Sequence, residues 1–359
     1  MRARPAIAAP RVAGAGDVAA ADDAADRTHC VYRSAYPHLE KIKMKITQPV
    51  KKLASALGAA MLLAGLPAMA EQTIFPTPEA AAQALIDAAS EEGPEGLLAV
   101  LGPELEDLTS PDPVSDAQER ADFVEAALEA AGIEQEDDEH AVLVIGPDDW
   151  PFPIPLVRGP EGWYFDTSAG VEELMDRRVG RNELTTIGVM RGYVEAQYEY
   201  QEEDRNGDGV REYAQKFFSS EGSRDGLYWP AAEDEPESPM GSLVAEAVAK
   251  GYGEEKSEGP RPYFGYLYHM LTAQGEQAPR GAKSYLEDGH LTKGFGLVAW
   301  PVEYGNSGVM TFQVNQSGIV YQKDLGEDTG TIAAAIDAYN PDSGRAPVTD
   351  EEPEEGEQP

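Results

Sequence analysis

The sequence predicts an α+β fold of two small domains, each with helices packed on an antiparallel sheet. Two observations carry that expectation. Apolar residues recur at three-to-four spacing and then give way to short β-favouring runs, once before residue 141 and again after residue 203. The runs after each change are bounded by Gly, Pro, Asn and Asp, which suits hairpins rather than crossover connections.

The first domain is placed at residues 71–178. Thr77-Pro78-Glu79 marks a helix start: a hydroxyl to accept a free N–H, Pro at the first helical position and an acid in the first turn. Ala81, Leu85 and Ala88 form its apolar face. A short helix is expected over Glu95–Leu101. After Ser110-Pro-Asp-Pro113, a third helix over 116–131 carries Phe123, Ala127 and Leu128 on one side and stops at Gly132. Residues 141–145 read as a buried strand. Residues 154–158 and 163–166 flank Gly159-Pro-Glu-Gly162 and read as a hairpin. Helices followed by a curled antiparallel sheet that closes on Trp163-Tyr-Phe-Asp166 resemble the cone-shaped fold of nuclear-transport-factor-2-like domains.

Residues 171–178 are expected to form a short helix and a hinge. The second domain follows at 179–346. A long amphipathic helix over 181–203 has Leu184, Ile187, Met190, Val194 and Tyr198 at three-to-four spacing. Short helices are expected at 213–218 and 243–249, with an acidic, Gly-rich loop at 251–262 between the latter and the strands. Four β-favouring runs, 263–271, 295–302, 309–314 and 319–323, form a meander, and a helix over 331–339 closes the domain. One long helix across a three- to four-stranded meander resembles the globular head of type IV pilins and secretion pseudopilins, and 308–321 is similar to their terminal hairpin. A pilin carries its apolar assembly helix directly after the leader, and this chain does not.

Five blocks in order extend the resemblance across both domains. They are Asp148-Asp-Trp-Pro-Phe-Pro-Ile-Pro155, Arg177-Arg-Val-Gly-Arg-Asn-Glu-Leu184, Asp225-Gly-Leu-Tyr-Trp-Pro230, Leu271-Thr-Ala-Gln-Gly275 and 295–308. Together they resemble the bacterial family known as domain of unknown function 2950, over about residues 73–347. The resemblance implies an exported protein and supplies no reaction.

An export signal begins at Met44. Lys45, Lys51 and Lys52 form a basic region, 53–66 an apolar core, and Ala68-Met-Ala70 a small-x-small cleavage site, so cleavage is expected between Ala70 and Glu71. The apolar core is shorter than the ~18–20 residues that span a bilayer, so a cleavable signal is favoured over an anchor and the mature protein is placed in the periplasm or outside the cell. Residues 1–43 read as an unstructured extension from a start assigned too far upstream. Residues 347–359, rich in acids with Gly and Pro, read as a disordered tail.

Cys30 lies before the signal, so the expected mature chain has no cysteine and no disulfide. Ten of the 28 basic and five of the 65 acidic residues lie in 1–70, which leaves 18 against 60 and a formal charge of −42. Such a polyanion is repelled by nucleic acid and anionic membranes, so both are excluded as partners. An envelope polymer or a protein partner remains.

Two candidate sites stand out. Asp204, Asn206, Asp208, the Val210 carbonyl and Glu212, with turn glycine Gly209, match the first half of a calcium loop, and Ca2+ is the expected ion. Gln215 stands where such a loop has its bidentate Glu. The other reading of this stretch is an Asx- and Gly-rich loop that ends the helix. The second candidate is a set of aromatics on Pro- and Gly-rich turns, Trp150, Tyr228, Trp229, Trp300 and Tyr304, whose rings would stack on sugar or grip a peptide if they share a cleft, or plug the sheet ends if they do not. His269 reads as a core histidine and His290 as a solvated turn residue. No Gly-x-Ser-x-Gly elbow or Ser-x-x-Lys pair occurs. The leading expectation is a non-enzymatic binding or envelope-maintenance module. The alternatives are a carboxylate-based hydrolase of an envelope polymer and a pseudopilin-like subunit.

Overall fold

A computed structural model describes residues 40–43, 72–91, 93–231, 235–250, 252 and 262–349. The signal at 44–70, its cleavage residues Ala70 and Glu71, and the acidic run after 349 lie outside the described residues.

Helices α1 (Pro78–Ala89), α2 (Glu95–Leu101) and α3 (Pro113–Glu129) precede the first sheet. Thr77 caps α1 by accepting the Ala80 N–H at 3.2 Å. The third helix starts three residues earlier than expected, because Asp112 caps it and Pro113 takes its first position. Gly132 does not stop that helix but lies inside a strand missed from the sequence. The first sheet contains β1 (Glu40–Lys43), β2 (Ala131–Gln135), β3 (His140–Ile145), β4 (Trp150–Pro151), β5 (Leu156–Arg158) and β6 (Trp163–Phe165). Its order is β1-β2-β3-β5-β6, with β4 beside β3 and all neighbours antiparallel. Glu40–Lys43 thus form an edge strand within a stretch expected to be unstructured; their backbone pairs with β2. Leu85 and Ile86 of α1 pack on Ile133, Leu143, Leu156 and Phe165 to form the first core.

Asp166 caps a single helix, α4 (Thr167–Gln201), where a hinge near 178 was expected. A mid-helix Gly costs only about 1 kcal/mol, so Gly180 alone does not break it. Arg178 and Asn182 are instead buried on its surface. Helix α5 (Gly241–Ala249) lies against α4: a Cβ on Gly192 would meet Leu243 Cδ1 at 2.8 Å. The expected helix at 213–218 is absent. Those residues run extended, with Tyr228 N–H donating to Phe217 O at 2.8 Å and Leu227 N–H to Lys216 O at 3.0 Å. Tertiary pairing has overridden a weak local helical preference.

The second sheet follows the expected meander. It holds β7 (Tyr266–Leu271), then, after an excursion through β8 (Ala273–Gln274), β9 (Lys283–Ser284), β10 (Leu286–Glu287) and β11 (His290–Leu291), the strands β12 (Gly296–Pro301), β13 (Met310–Asn315) and β14 (Tyr321–Asp324). Helix α6 (Thr329–Ala334) and β15 (Ala346–Pro347) complete it, and the order is β15-β14-β13-β12-β7. Pro347, expected in the tail, pairs with Tyr321, and Val348 N–H donates to Val320 O at 2.8 Å. Side chains alternate across β12. Leu297 and Ala299 join Met190, Tyr193 and Phe312 in the core beneath α4, while Val298 and Trp300 face Leu271 and Tyr339 on the opposite side.

A polar seam joins the two halves. Arg178 donates to Leu108 O and, at 2.6 Å, to Asn306 Oδ1; Asn306 Nδ2 donates back to Thr109 O at 3.1 Å. Asp112 accepts from Tyr252 Oη at 2.8 Å and from Gly265 N–H at 2.9 Å. Asn182 Nδ2 donates to Ser307 O at 2.9 Å, and Glu183 Oε1 accepts from the N–H groups of Val309 and Met310, each at 2.9 Å. The bonds of Arg178, Asn306 and Asp112 cross between the halves and tie them together, while Arg178 Nε and Asn182 Oδ1 have no hydrogen-bond partner among the described residues.

Candidate metal centre

The loop after α4 is shaped by two glycines and one carboxylate. Gly207 (φ 79°) and Gly209 (φ 90°) adopt left-handed backbone that other residues resist. Asp204 gathers the turn: Oδ1 accepts from Gly207 N–H at 2.8 Å and Asp208 N–H at 3.2 Å, and Oδ2 from Gly209 N–H at 2.8 Å. Both Asp204 oxygens therefore support the loop itself. Asp208 Oδ1 accepts from Val210 N–H at 2.8 Å, which leaves Oδ2 facing the interior of the loop.

The next residues leave the loop in extended form. Tyr213 N–H donates to Leu291 O at 2.9 Å, and Leu291 N–H donates to Glu212 Oε2 at 3.1 Å. This pairing lays the β10–β11 hairpin against the loop. The hairpin turns through Asp288 (φ 53°) and Gly289 (φ 91°), the two-residue left-handed turn that an Asp-Gly pair favours. His290 follows directly and points at the carboxylates: Nδ1 lies 3.5 Å from Asp208 Oδ2 and 3.4 Å from Glu212 Oε2. Asp208, Glu212 and His290 each offer one ligand atom, and the three atoms lie within 4.8 Å of one another; no other such group of three occurs among the described residues.

Glu212 is the buried member, 7 % exposed; besides its contact with His290 it accepts from Asn206 Nδ2 at 2.8 Å, Gln215 Nε2 at 3.3 Å and the Leu291 amide. Asn206 Nδ2 also donates to Asp208 Oδ2 at 2.9 Å, so one amide orients both carboxylates. A cleft of about 200 Å³ opens beside them, lined among others by Tyr200, Lys216 and Asp225. Burial, and then the negative field of Glu212, Asp225 and Asp208, push the Tyr200 phenol up to about 12. Lys216 is bonded to Asp225 and does not neutralise Glu212.

Of the five calcium-loop residues expected from sequence, the structure brings Asn206, Asp208 and Glu212 together and turns Asp204 to a structural task; Val210 contributes its N–H to Asp208. His290, read as a solvated turn residue, is the ligand candidate that sequence reasoning missed. Its signal was the Asp288-Gly289 hairpin, which fixes the position of the residue after it.

The five turn aromatics do not share a cleft. Trp150 packs on the first core beneath Arg177, whose guanidinium carbon stands 4.5 Å from the ring centroid. Trp229 is buried in the second core, with Tyr228 against the same cluster. Trp300 lies on the opposite face of the sheet, and Tyr304 donates its hydroxyl to Asp324 Oδ2 at 3.2 Å. Trp150 belongs to the first core, and in the second half Trp300 lies on the sheet face opposite the core that holds Tyr228 and Trp229.

A family model described as "Protein of unknown function (DUF2950)" matches residues 72–348. No curated protein and no solved structure matches the chain, and the likenesses to pilin heads and nuclear-transport-factor-2-like domains are not confirmed. No helix among the described residues is long and apolar enough to cross a membrane.

Proposed function

The chain belongs to the DUF2950 family, and we propose that it is a non-enzymatic binding module of the cell envelope that takes up a divalent cation on its 204–212 loop. In this reading the chain is exported through the signal at 44–70, begins at Glu71 without β1, so that β2 becomes the edge of the first sheet, and works in the periplasm or outside the cell. The observation that carries the cation is the convergence of Asp208 and Glu212 with His290, which comes from a separate hairpin. A cation there offsets the buried Glu212 charge and ties the end of α4 to the β10–β11 hairpin. The adjoining cleft is the place where an envelope polymer or a protein partner would meet the loop.

A thermal melt of the mature protein, with chelator and with each of several divalent cations at millimolar concentration, tests this. A ligand that binds only the folded state stabilises it by about 2.7 kcal/mol at a hundred times its Kd, so the melting temperature rises with the cation and falls with chelator. The same midpoint in every condition overturns the cation reading. Mass spectrometry of the native N-terminus is expected to read Glu71-Gln-Thr; a start near Met1 overturns export.

A further inference from the structure

We infer that Asp208, Glu212 and His290 form a site for a borderline transition-metal ion of the zinc class rather than for calcium, an inference that rests on reading the loop as a cation site. Three independent features point there. The first is the donor set. Calcium takes six to eight oxygens, commonly with a bidentate carboxylate at the twelfth loop position. Here Asp204 is occupied by three backbone N–H groups, and the twelfth position is Gln215, whose amide donates to Glu212 and to Gly289 O. An imidazole nitrogen enters instead, and imidazole with carboxylates suits zinc and its neighbours in the first transition row.

The second feature is spacing. Ligands held at about 2.0–2.1 Å from a tetrahedral zinc ion lie roughly 3.3–3.4 Å from one another. His290 Nδ1 stands 3.4 Å from Glu212 Oε2 and 3.5 Å from Asp208 Oδ2, so two edges of that tetrahedron are already close to size. The third is charge. Glu212 is nearly fully buried, and among the described residues no Lys or Arg comes within ion-pair distance of it; the nitrogen that approaches it is His290 Nδ1 at 3.4 Å. A buried carboxylate with no Lys or Arg beside it is a place where a bound cation would supply the compensation that buried charges require.

Neighbouring groups hold the three side chains in place. Asn206 bridges both carboxylates, the Leu291 amide holds Glu212, and Val210 N–H fixes the other oxygen of Asp208. Asp208 and His290 remain about one-third exposed, which leaves the fourth tetrahedral position open to water or to a donor from a bound partner.

Calorimetric titration of the mature protein with Zn2+ and with Ca2+, in excess Mg2+ to saturate the acidic surface, tests the inference. One Zn2+ per chain is expected, at least about tenfold tighter than Ca2+, with a rise in melting temperature. His290→Gln is expected to weaken Zn2+ about tenfold or more and to leave any Ca2+ response unchanged. Co2+ at the same site is expected to show the visible absorption of a tetrahedral centre. Asp208→Asn, at a partly exposed position, gives a second variant should the hairpin substitution disturb folding. Zn2+ binding that neither variant weakens overturns the assignment, as does Ca2+ binding tighter than Zn2+. The latter leaves the cation reading standing, whereas no binding of either ion removes both.

Discussion

Replacing Asp112 by Asn probes the seam at its most buried carboxylate. Asp112 is 2 % exposed and serves both halves: Oδ1 caps α3 through the Ser115 N–H at 3.1 Å, while Oδ2 accepts from Tyr252 Oη and Gly265 N–H. Asn caps a helix about as well as Asp, so α3 keeps its start. The second oxygen becomes an NH2 group that faces two donors. Tyr252 can rotate its hydroxyl to accept, but the Gly265 amide cannot. A hydrogen bond to a charged group contributes about 1.5–3 kcal/mol and an orphaned buried donor costs a similar amount, so the loss is expected at about 2–3 kcal/mol. Asp112→Ala also removes the cap, worth ~1 kcal/mol, and is expected to cost about 3–4 kcal/mol. Urea unfolding followed by circular dichroism and tryptophan fluorescence gives these values by linear extrapolation. A double-mutant cycle with Tyr252→Phe is expected to show coupling of about 1 kcal/mol, because the two side chains share one contact. Asp112→Asn within 0.5 kcal/mol of the parent on the scale of exposed substitutions, or strict additivity with Tyr252→Phe, would refute the reasoning.

Two glycines of α4 are expected to respond to Ala with opposite signs. A Cβ at Gly170 would lie 2.8 Å from Ile154 Cα, so overpacking outweighs the helix gain and Gly170→Ala destabilises by about 1–2 kcal/mol. Gly180 has open space around it, and Gly180→Ala is expected to stabilise by about 1 kcal/mol; both are read from the urea midpoint. The hydrogen bond from Lys216, then those from Ser220, hold the Asp225 carboxyl at about 2, below its ordinary value of 3.8. Because the folded form binds that proton more weakly, the contribution is full above about pH 4 and is lost as pH falls towards 2. The stability gap between the parent and Asp225→Asn is therefore expected to narrow across that window, and a constant gap in acid melts counts against the interaction.

Local chemistry made much of the fold legible. Thr77-Pro78 marked α1 because a hydroxyl and a missing N–H meet the needs of a helix end within four residues. The meander was legible because β-favouring runs between turn residues have few ways to pair other than with their neighbours. The continuity of α4 was not. A hinge was expected after 171–178, but the helix runs through, and Arg178 meets Leu108 and Asn306, distant in sequence. The 213–218 segment was misread for the same reason, since its partners are residues 227, 228 and 291.

The candidate site divides in the same way. The sequence by itself determined the carboxylates, the amide and the turn glycine Gly209 of the 204–212 loop, because their spacing is set by bonds within a few residues. It also determined the acidity of the chain. Only the tertiary structure decided which oxygens stay available, by committing Asp204 to backbone amides, and only it supplied His290 from a hairpin some eighty residues away in the chain. It likewise parted the turn aromatics, since it placed Trp150 in the first core, Tyr228 and Trp229 in the second, and Trp300 on the opposite face of the second sheet. A ligand set is a distance relation among side chains, and distances between remote segments are fixed by packing rather than by local sequence.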